Sequence, residues 1–243
     1  RAVLIIGASG GIGRATAHAV SDAGGRVVAV GRRTAALAET VDELSGSGHF
    51  AIVADIVDHA ANADLLADAV AAVGPLHGLV HCAGEHLLSP LRTHRADRTN
   101  ALFDVNVTSA LSLMKAFRTP KVRGESASVV LLSSAVGIVG QAGVSAYAAT
   151  KAAVSSLAQS LGLELARESI RVNAIAAGIV ETPMTTGLHA SLGDHAWSEI
   201  QRAHPLGLGV PEDVANAAVC LLAPASRWVT GTTLVVDGGY TAS

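Results

Sequence analysis

Only two cysteines, Cys82 and Cys220, occur in the 243 residues, far apart and in no CxxC pair. That excludes a disulfide framework and a cysteine-based zinc site, and it suits a reducing cytoplasm. Aromatic residues make up 3% against 50% hydrophobic. The core must therefore be aliphatic, which is the composition of a parallel sheet covered by close-packed helices. Long apolar runs are missing as well. Mean hydropathy is positive, yet Gly, Ser or a charge interrupts each run well before the roughly 18 residues that span a bilayer. No membrane association is expected. The opening Ala2 to Ile6 run passes into a glycine turn, without a signal peptide's long apolar region and cleavage site. Net charge is -3 with no long basic block, which argues against nucleic acid. The partner expected is a small molecule.

What is present is an alternation. Short, mostly continuous apolar segments at Ala2 to Ile6, Val27 to Val30, Phe50 to Ala54, Leu79 to His81, Val129 to Leu132, Val172 to Ala176 and Thr233 to Val236 read as doubly buried strands. Between them, Arg14 to Ala23, Ala35 to Leu44, Ala61 to Val73, Asn100 to Phe117 and Ala148 to Arg167 have helical composition. The pattern predicts an α/β fold: a single Rossmann-type, doubly wound parallel sheet of about seven strands, helices on both faces, in one domain spanning residues 1–243. Right-handed crossovers gather the loops at the carboxyl ends of the strands into one crevice, where ligands bind. The least regular stretch, Thr185 to Gly209, reads as a mobile substrate lid.

Gly7-Ala8-Ser9-Gly10-Gly11-Ile12-Gly13 follows the first strand and opens a helix. Glycines at 7, 11 and 13 let the backbone approach a pyrophosphate while free N–H groups at the helix start bind the anion. The second strand ends in Gly31-Arg32-Arg33, where an NAD site presents an acidic residue to the adenosine ribose. A guanidinium makes forked, charge-assisted bonds to phosphate, so Arg32, supported by Arg33, suits the 2'-phosphate of NADP. NADP(H) is expected over NAD(H).

Tyr147 and Lys151 stand four residues apart in Tyr147-Ala148-Ala149-Thr150-Lys151, on one face of a helix. A nearby cation stabilises phenolate and is expected to bring the tyrosine down from about 10 toward neutrality, making it a usable acid or base. Ser133-Ser134 ends the strand Val129 to Leu132. A hydroxyl there can bond a substrate carbonyl where negative charge grows; a purely structural serine pair is the alternative.

Over essentially its whole length the chain resembles the short-chain dehydrogenase/reductase family, and among its members the 3-oxoacyl-acyl-carrier-protein reductases. The glycine turn, including Ser9 and Ile12, is similar to the family's cofactor fingerprint, and Asp55-Ile56 to its adenine contact. Cys82, Ala83 and Gly84 stand at its Asn-Ala-Gly block. Ser134, thirteen residues before Tyr147, matches the catalytic serine, and Tyr147 and Lys151 match the Tyr-x-x-x-Lys pair. Asn106, in Phe103-Asp104-Val105-Asn106-Val107, matches the helix asparagine whose main chain holds a relay water. Gly178, Ile179 and Thr182 resemble the segment that contacts the nicotinamide carboxamide and opens the lid, and Val235 to Gly239 fits the family's ending.

Four positions depart from the family, at three places: Ile6 for threonine, His81-Cys82 for Asn-Asn, and Ala177 for proline. None removes a catalytic group. His81 is expected to replace an amide's hydrogen bond within the sheet and Cys82 to pack. His77 and His81 lack a third ligand, so no metal site is expected. The resemblance implies an NADPH-dependent cytoplasmic oxidoreductase acting between a carbonyl and an alcohol, a 3-oxoacyl thioester among the candidates, assembled as a homotetramer or homodimer. Alternatives are a non-catalytic NADP-binding sensor or scaffold and a sugar-nucleotide epimerase, whose larger substrate domain is absent. Specificity falls to Glu85 to Thr93 and Thr185 to Gly209.

Overall fold

In the computed structural model, which describes residues 1–242, seven strands form one parallel sheet: β1 (Ala2–Ile6), β2 (Arg26–Gly31), β3 (Phe50–Val53), β4 (Leu76–His81), β5 (Arg123–Ser134), β6 (Ile170–Ala177) and β7 (Thr233–Val236). Their order is β3-β2-β1-β4-β5-β6-β7. Each apolar segment singled out in the sequence lies on one strand. β4 and β5 start earlier than hydropathy indicates, because Leu76 pairs with Arg123 at the rim of the sheet, where polar side chains reach water.

The chain alternates strands with α1 (Gly11–Asp22), α2 (Thr34–Asp42), α3 (Asn62–Val73), α4 (Ala96–Phe103), α5 (Ser109–Phe117), α6 (Ser145–Glu164), α7 (Pro183–Leu192), α8 (Asp194–Arg202) and α9 (Pro211–Leu222). Two cores result. On one face Ala2, Leu4 and Ile6 pack with Leu113 and Phe117 of α5 and Val154 of α6. On the other, Val3 and Ile5 pack with Val20 of α1, Leu37 of α2 and Val214 of α9. Successive strand side chains point to opposite faces; both faces are covered, so every residue of β1 is apolar and the strand reads as a continuous run.

Three elements differ from the sequence reading. The helix expected over Asn100 to Phe117 begins at Ala96 and contains a π turn, Asp104–Thr108, between α4 and α5. α9 was not expected. Its buried face, Val214, Ala215, Ala218 and Leu221, has helical spacing, but two of the four are alanines and give a faint amphipathic signal. The stretch expected to be least regular carries α7 and α8, broken at Gly193 with φ of 79°. Thr182 caps α7: its hydroxyl accepts from Thr185 N at 3.4 Å, while Thr185 Oγ1 accepts from Thr182 N at 2.8 Å. Pro183 follows at the first helical position, where its missing N–H costs no bond. No residue of either helix is buried.

Phe117 is fully buried beneath α5. Phe117→Ala is expected to destabilise the fold by about 3–5 kcal/mol, read as a lowered urea midpoint; an unchanged midpoint would show that this core relaxes around the void.

Candidate active site

The strand order reverses direction between β1 and β4, so their connections leave on opposite faces and a crevice opens at their carboxyl ends. Gly7, at φ 86°, lets the β1 turn touch the loop after β4; a Cβ there would lie 2.8 Å from Ala83 N. Gly13 brings α1 down onto the same turn, since its Cβ would meet Gly7 O at 2.2 Å. The amino end of α1 has Gly10 at its cap and no side-chain acceptor for its N–H groups. Helix polarity and free donors make that end attractive to an anion.

A cavity of about 370 Å³ runs from this turn across the sheet edge. Gly7, Ser9, Gly11, Ile12 and Gly13 line it at one end, with Arg32 and Arg33 after β2 and Asp55 and Ile56 after β3. Arg33 Nη2 donates to Ser9 O at 2.5 Å, bracing the glycine turn. Arg32 is two-thirds exposed and 3.9 Å from Glu85 Oε1. Cys82, Ala83 and Gly84 form the floor, and Gly178, Ile179 and Thr182 the far wall. Burial pushes the Cys82 thiol up to about 12, so it is an inert wall group.

Ser134, Tyr147 and Lys151 line the same cavity, at the end of β5 and on α6. Ser133, next to them, points away: its Oγ donates to Lys151 O at 2.7 Å and lies 2.9 Å from Ser155 Oγ. The serine pair thus divides, one holding α6 against the sheet and the other facing the cavity. Ser134 Oγ donates to Ala177 O at 3.3 Å.

The electrostatics differ from the sequence expectation. Lys151 Nζ donates to Leu132 O at 2.8 Å and sits 5.7 Å from the Tyr147 ring centroid. Burial pulls its ammonium from 10.5 down to about 8, against a weaker attraction from Cys82. Burial also pushes the Tyr147 phenol up to about 12, against the pull of the Ser134 hydroxyl. Desolvation disfavours both charged forms, so the apoprotein holds a neutral phenol above a weakened ammonium.

Asn106 lies beneath the cavity, in the π turn. Its Oδ1 accepts from Glu85 N at 2.8 Å, and its Nδ2 donates to Glu85 O at 3.0 Å and to Thr150 Oγ1 at 3.0 Å. The side chain therefore ties the loop after β4 to α6.

A family model described as enoyl-(acyl carrier protein) reductase matches residues 7–241. The chain is 35% identical to the cis-4-hydroxycyclohexanecarboxylate dehydrogenase of Sinomonas cyclohexanicum, over 100% of this chain and 97% of that protein. It is 32% identical to the 3-oxoacyl-[acyl-carrier-protein] reductase FabG of Chlamydia muridarum, over 98% and 96%. A short-chain type dehydrogenase/reductase structure from Mycobacterium ulcerans superposes with TM-score 0.93 at 32% identity, covering 100% of this chain and 90% of that one. The chain belongs to the short-chain dehydrogenase/reductase family.

As a short-chain dehydrogenase/reductase it is an oxidoreductase of the alcohol–ketone class that uses a nicotinamide cofactor. Its departures from the family pattern have local explanations. His81 does not replace a sheet hydrogen bond; its Nε2 pairs with Ser109 Oγ of α5 at 3.0 Å. Burial, helped by the Lys151 charge, takes this imidazole down to about 4, so it stays neutral beside the lysine.

Three residues went unread in the sequence. His204 is buried; its Nε2 accepts from Ile179 N at 3.3 Å, its Nδ1 lies 2.7 Å from Ile200 O, and its ring stacks on Tyr240. It fastens the Ile179 wall to the foot of α8 and to the carboxyl-terminal segment. His86 packs against Tyr147 with the rings tilted, and Gln141 lines the same cavity. His86 and His204 fall within the two stretches to which the sequence assigns specificity, but the sequence does not say which of their side chains face the tyrosine or the Ile179 wall.

The buried Lys151 supplies a stability test. Below pH 8 it is charged in both folded and unfolded chains, and folding bears the full cost of burying the charge, on the order of 3 kcal/mol. Between its folded value of about 8 and its ordinary 10.5 the folded chain binds fewer protons, so that cost fades as pH rises. Lys151→Met is therefore expected to unfold at higher urea than the wild type at pH 7, with the difference narrowing between pH 8 and 10.5. A difference independent of pH would mean that Lys151 is not destabilised by burial.

Proposed function

We propose that this chain is an NADPH-dependent carbonyl reductase, or the corresponding alcohol dehydrogenase, built as one dinucleotide-binding domain with α7 and α8 as the lid over Thr185 to Gly209. The observation that carries the reading is a single cavity lined by the glycine turn at one end and by Ser134, Tyr147 and Lys151 at the other. The residues suit a dinucleotide: a close-packed turn without Cβ atoms, an uncapped helix start for the pyrophosphate, and guanidiniums where the ribose phosphate would lie. The arginines favour NADPH, since no carboxylate stands between Gly31 and Arg33 to prefer a free ribose hydroxyl.

When bound, the cofactor supplies a hydride to the carbonyl carbon. Ser134 then holds the carbonyl oxygen, and Tyr147, neutral at physiological pH, donates its proton to that oxygen as charge develops there. Lys151 is placed to hold ribose hydroxyls and to ease loss of the phenol proton once so engaged. The main chain of Asn106, in the π turn, is the site for a water that returns the proton through Lys151. A 3-oxoacyl thioester is the leading substrate candidate, by likeness to the FabG relative. The absence of a helix long and apolar enough to cross a membrane among the described residues fits a cytoplasmic enzyme, and the family likeness supports a homotetramer.

Tyr147→Phe is expected to keep NADPH affinity within about threefold while turnover of ketones, followed by NADPH absorbance, drops by at least about a thousandfold. Retained turnover would remove Tyr147 from the chemistry. Arg32→Asp is expected to lower the ratio of kcat/KM for NADPH over NADH by about 10–100-fold, as loss of charge-assisted phosphate bonds requires. An unchanged ratio would place Arg32 outside the cofactor site.

A further inference from the structure

Beyond Tyr147 the lining changes character. A second cavity, of about 400 Å³, shares Glu85, His86, Met184 and Leu188 with the first. It lies between the loop after β4 and α7, where an organic substrate would rest against Tyr147. Its lining mixes the apolar Leu88, Met184 and Leu188 with Glu85, His86 and Ser191, and Met184 and Leu88 are 48% and 40% exposed at its mouth. Glu85 is the only ionised side chain in its lining. The cations of the first cavity lie outside the lining of the second: Arg32 and Arg33 follow β2, and Lys151 stands on α6 bonded to Leu132 O. No guanidinium or ammonium among the described residues lines the substrate side.

Ser191 in that lining is bonded to Gly187 O, which leaves His86, shared by both cavities, and Gln141 of the first as uncharged polar side chains near Tyr147. His86 places its ring centroid 4.7 Å from that of Tyr147, tilted by 60°. Neither His86 nor Gln141 has a side-chain hydrogen-bond partner among the described residues, although both are half-buried and line the cavity. Burial lowers the His86 imidazole below its ordinary value, which keeps it neutral at physiological pH. Polar groups so placed gain little from remaining unpaired, and a site built to hydrogen-bond a substrate oxygen discriminates strongly against analogues that lack it. A carboxylate, by contrast, would lose its hydration in a cavity whose lining carries Glu85 and no lysine or arginine.

We infer that His86, with Gln141, is a specificity determinant that selects carbonyl substrates bearing a second, uncharged oxygen near the reacting carbon and rejects free carboxylates. This rests on the reductase reading above and narrows its substrate class to neutral hydroxy-, keto- or ester-substituted ketones. The imidazole, tilted against the Tyr147 ring, holds the second oxygen beside the phenol, so recognition and proton transfer share one geometry.

Three probes with a common chain test it: ethyl 3-oxohexanoate, which is neutral with a second oxygen function; 4-nonanone, of the same chain length without it; and freshly prepared 3-oxohexanoate, the anion. With NADPH, kcat/KM should favour the ester over 4-nonanone by on the order of tenfold and over the anion by more. His86→Phe, which keeps an aromatic ring against Tyr147 but cannot hydrogen-bond, should bring the ester-to-ketone ratio toward one, and Gln141→Leu should lower it less. Preference for the anion, or a ratio unmoved in both variants, overturns the inference. If no probe turns over, the reductase reading fails by itself. The inference is then read from calorimetric affinities of the three probes for the NADPH-saturated wild type and the His86→Phe protein, where equal affinities for ester and ketone sink it.

Discussion

The contact between Gly7 and the Ala83 backbone governs the rest of the site. β1 and β4 are neighbours in the sheet, and their outgoing connections diverge to opposite faces. The crevice between those connections has a usable floor only because the two turns meet without side chains between them. With a Cβ at residue 7 lying 2.8 Å from Ala83 N, one turn would have to retreat and carry α1 with it. Gly13 adds a second close approach, of α1 onto its own turn. The anion-binding end of α1, the Cys82 to Gly84 floor and the position of Glu85 follow from these two contacts. Asn106 then carries the constraint onward, clamping Glu85 at both its N–H and its carbonyl while also bonding Thr150 of α6, next to Lys151.

The centre of the site runs against the economy of folding. A lysine is buried with its ammonium bonded to Leu132 O, and a phenol is buried with a hydroxyl near it; burial opposes the charged form in both. Ser133, bonded to Lys151 O and Ser155 Oγ, and the two flanking cores keep α6 from relaxing away from the sheet. Stability sacrificed at Lys151 is recovered in the packing around it, the usual arrangement where a protein maintains a perturbed group for chemistry. The neutral His81 beneath belongs to the same arrangement, since a second cation there would weaken the ammonium further.

Much of this was legible in the sequence, and the exceptions have physical causes. Doubly buried strands announce themselves as apolar runs, so all seven were found, and the close approach of the β1 turn to the loop after β4 was legible because it depends on backbone room, which glycine reports directly. α9 escaped because its buried alanines carry little hydrophobic contrast, and the π turn because an extra residue in a helix leaves no compositional trace. The direction of the Tyr147 shift was misjudged: spacing gives a neighbour's presence but neither the depth of burial nor where the ammonium's hydrogen bond goes. His204, which joins Ile179, Ile200 and Tyr240, depends on three segments distant in sequence meeting at one ring.

The distribution of charge along the cavity links its two halves. Arg32 and Arg33 stand at the glycine-turn end with Asp55, Lys151 stands at the middle, and the lining of the second cavity carries Glu85 and no lysine or arginine. On the proposed reading, the arginines draw the phosphates of a dinucleotide to their end of the groove. The second cavity offers anions no comparable attraction. On the same reading, selection there rests on shape and on neutral hydrogen bonds, interactions that act over shorter range and discriminate between close analogues.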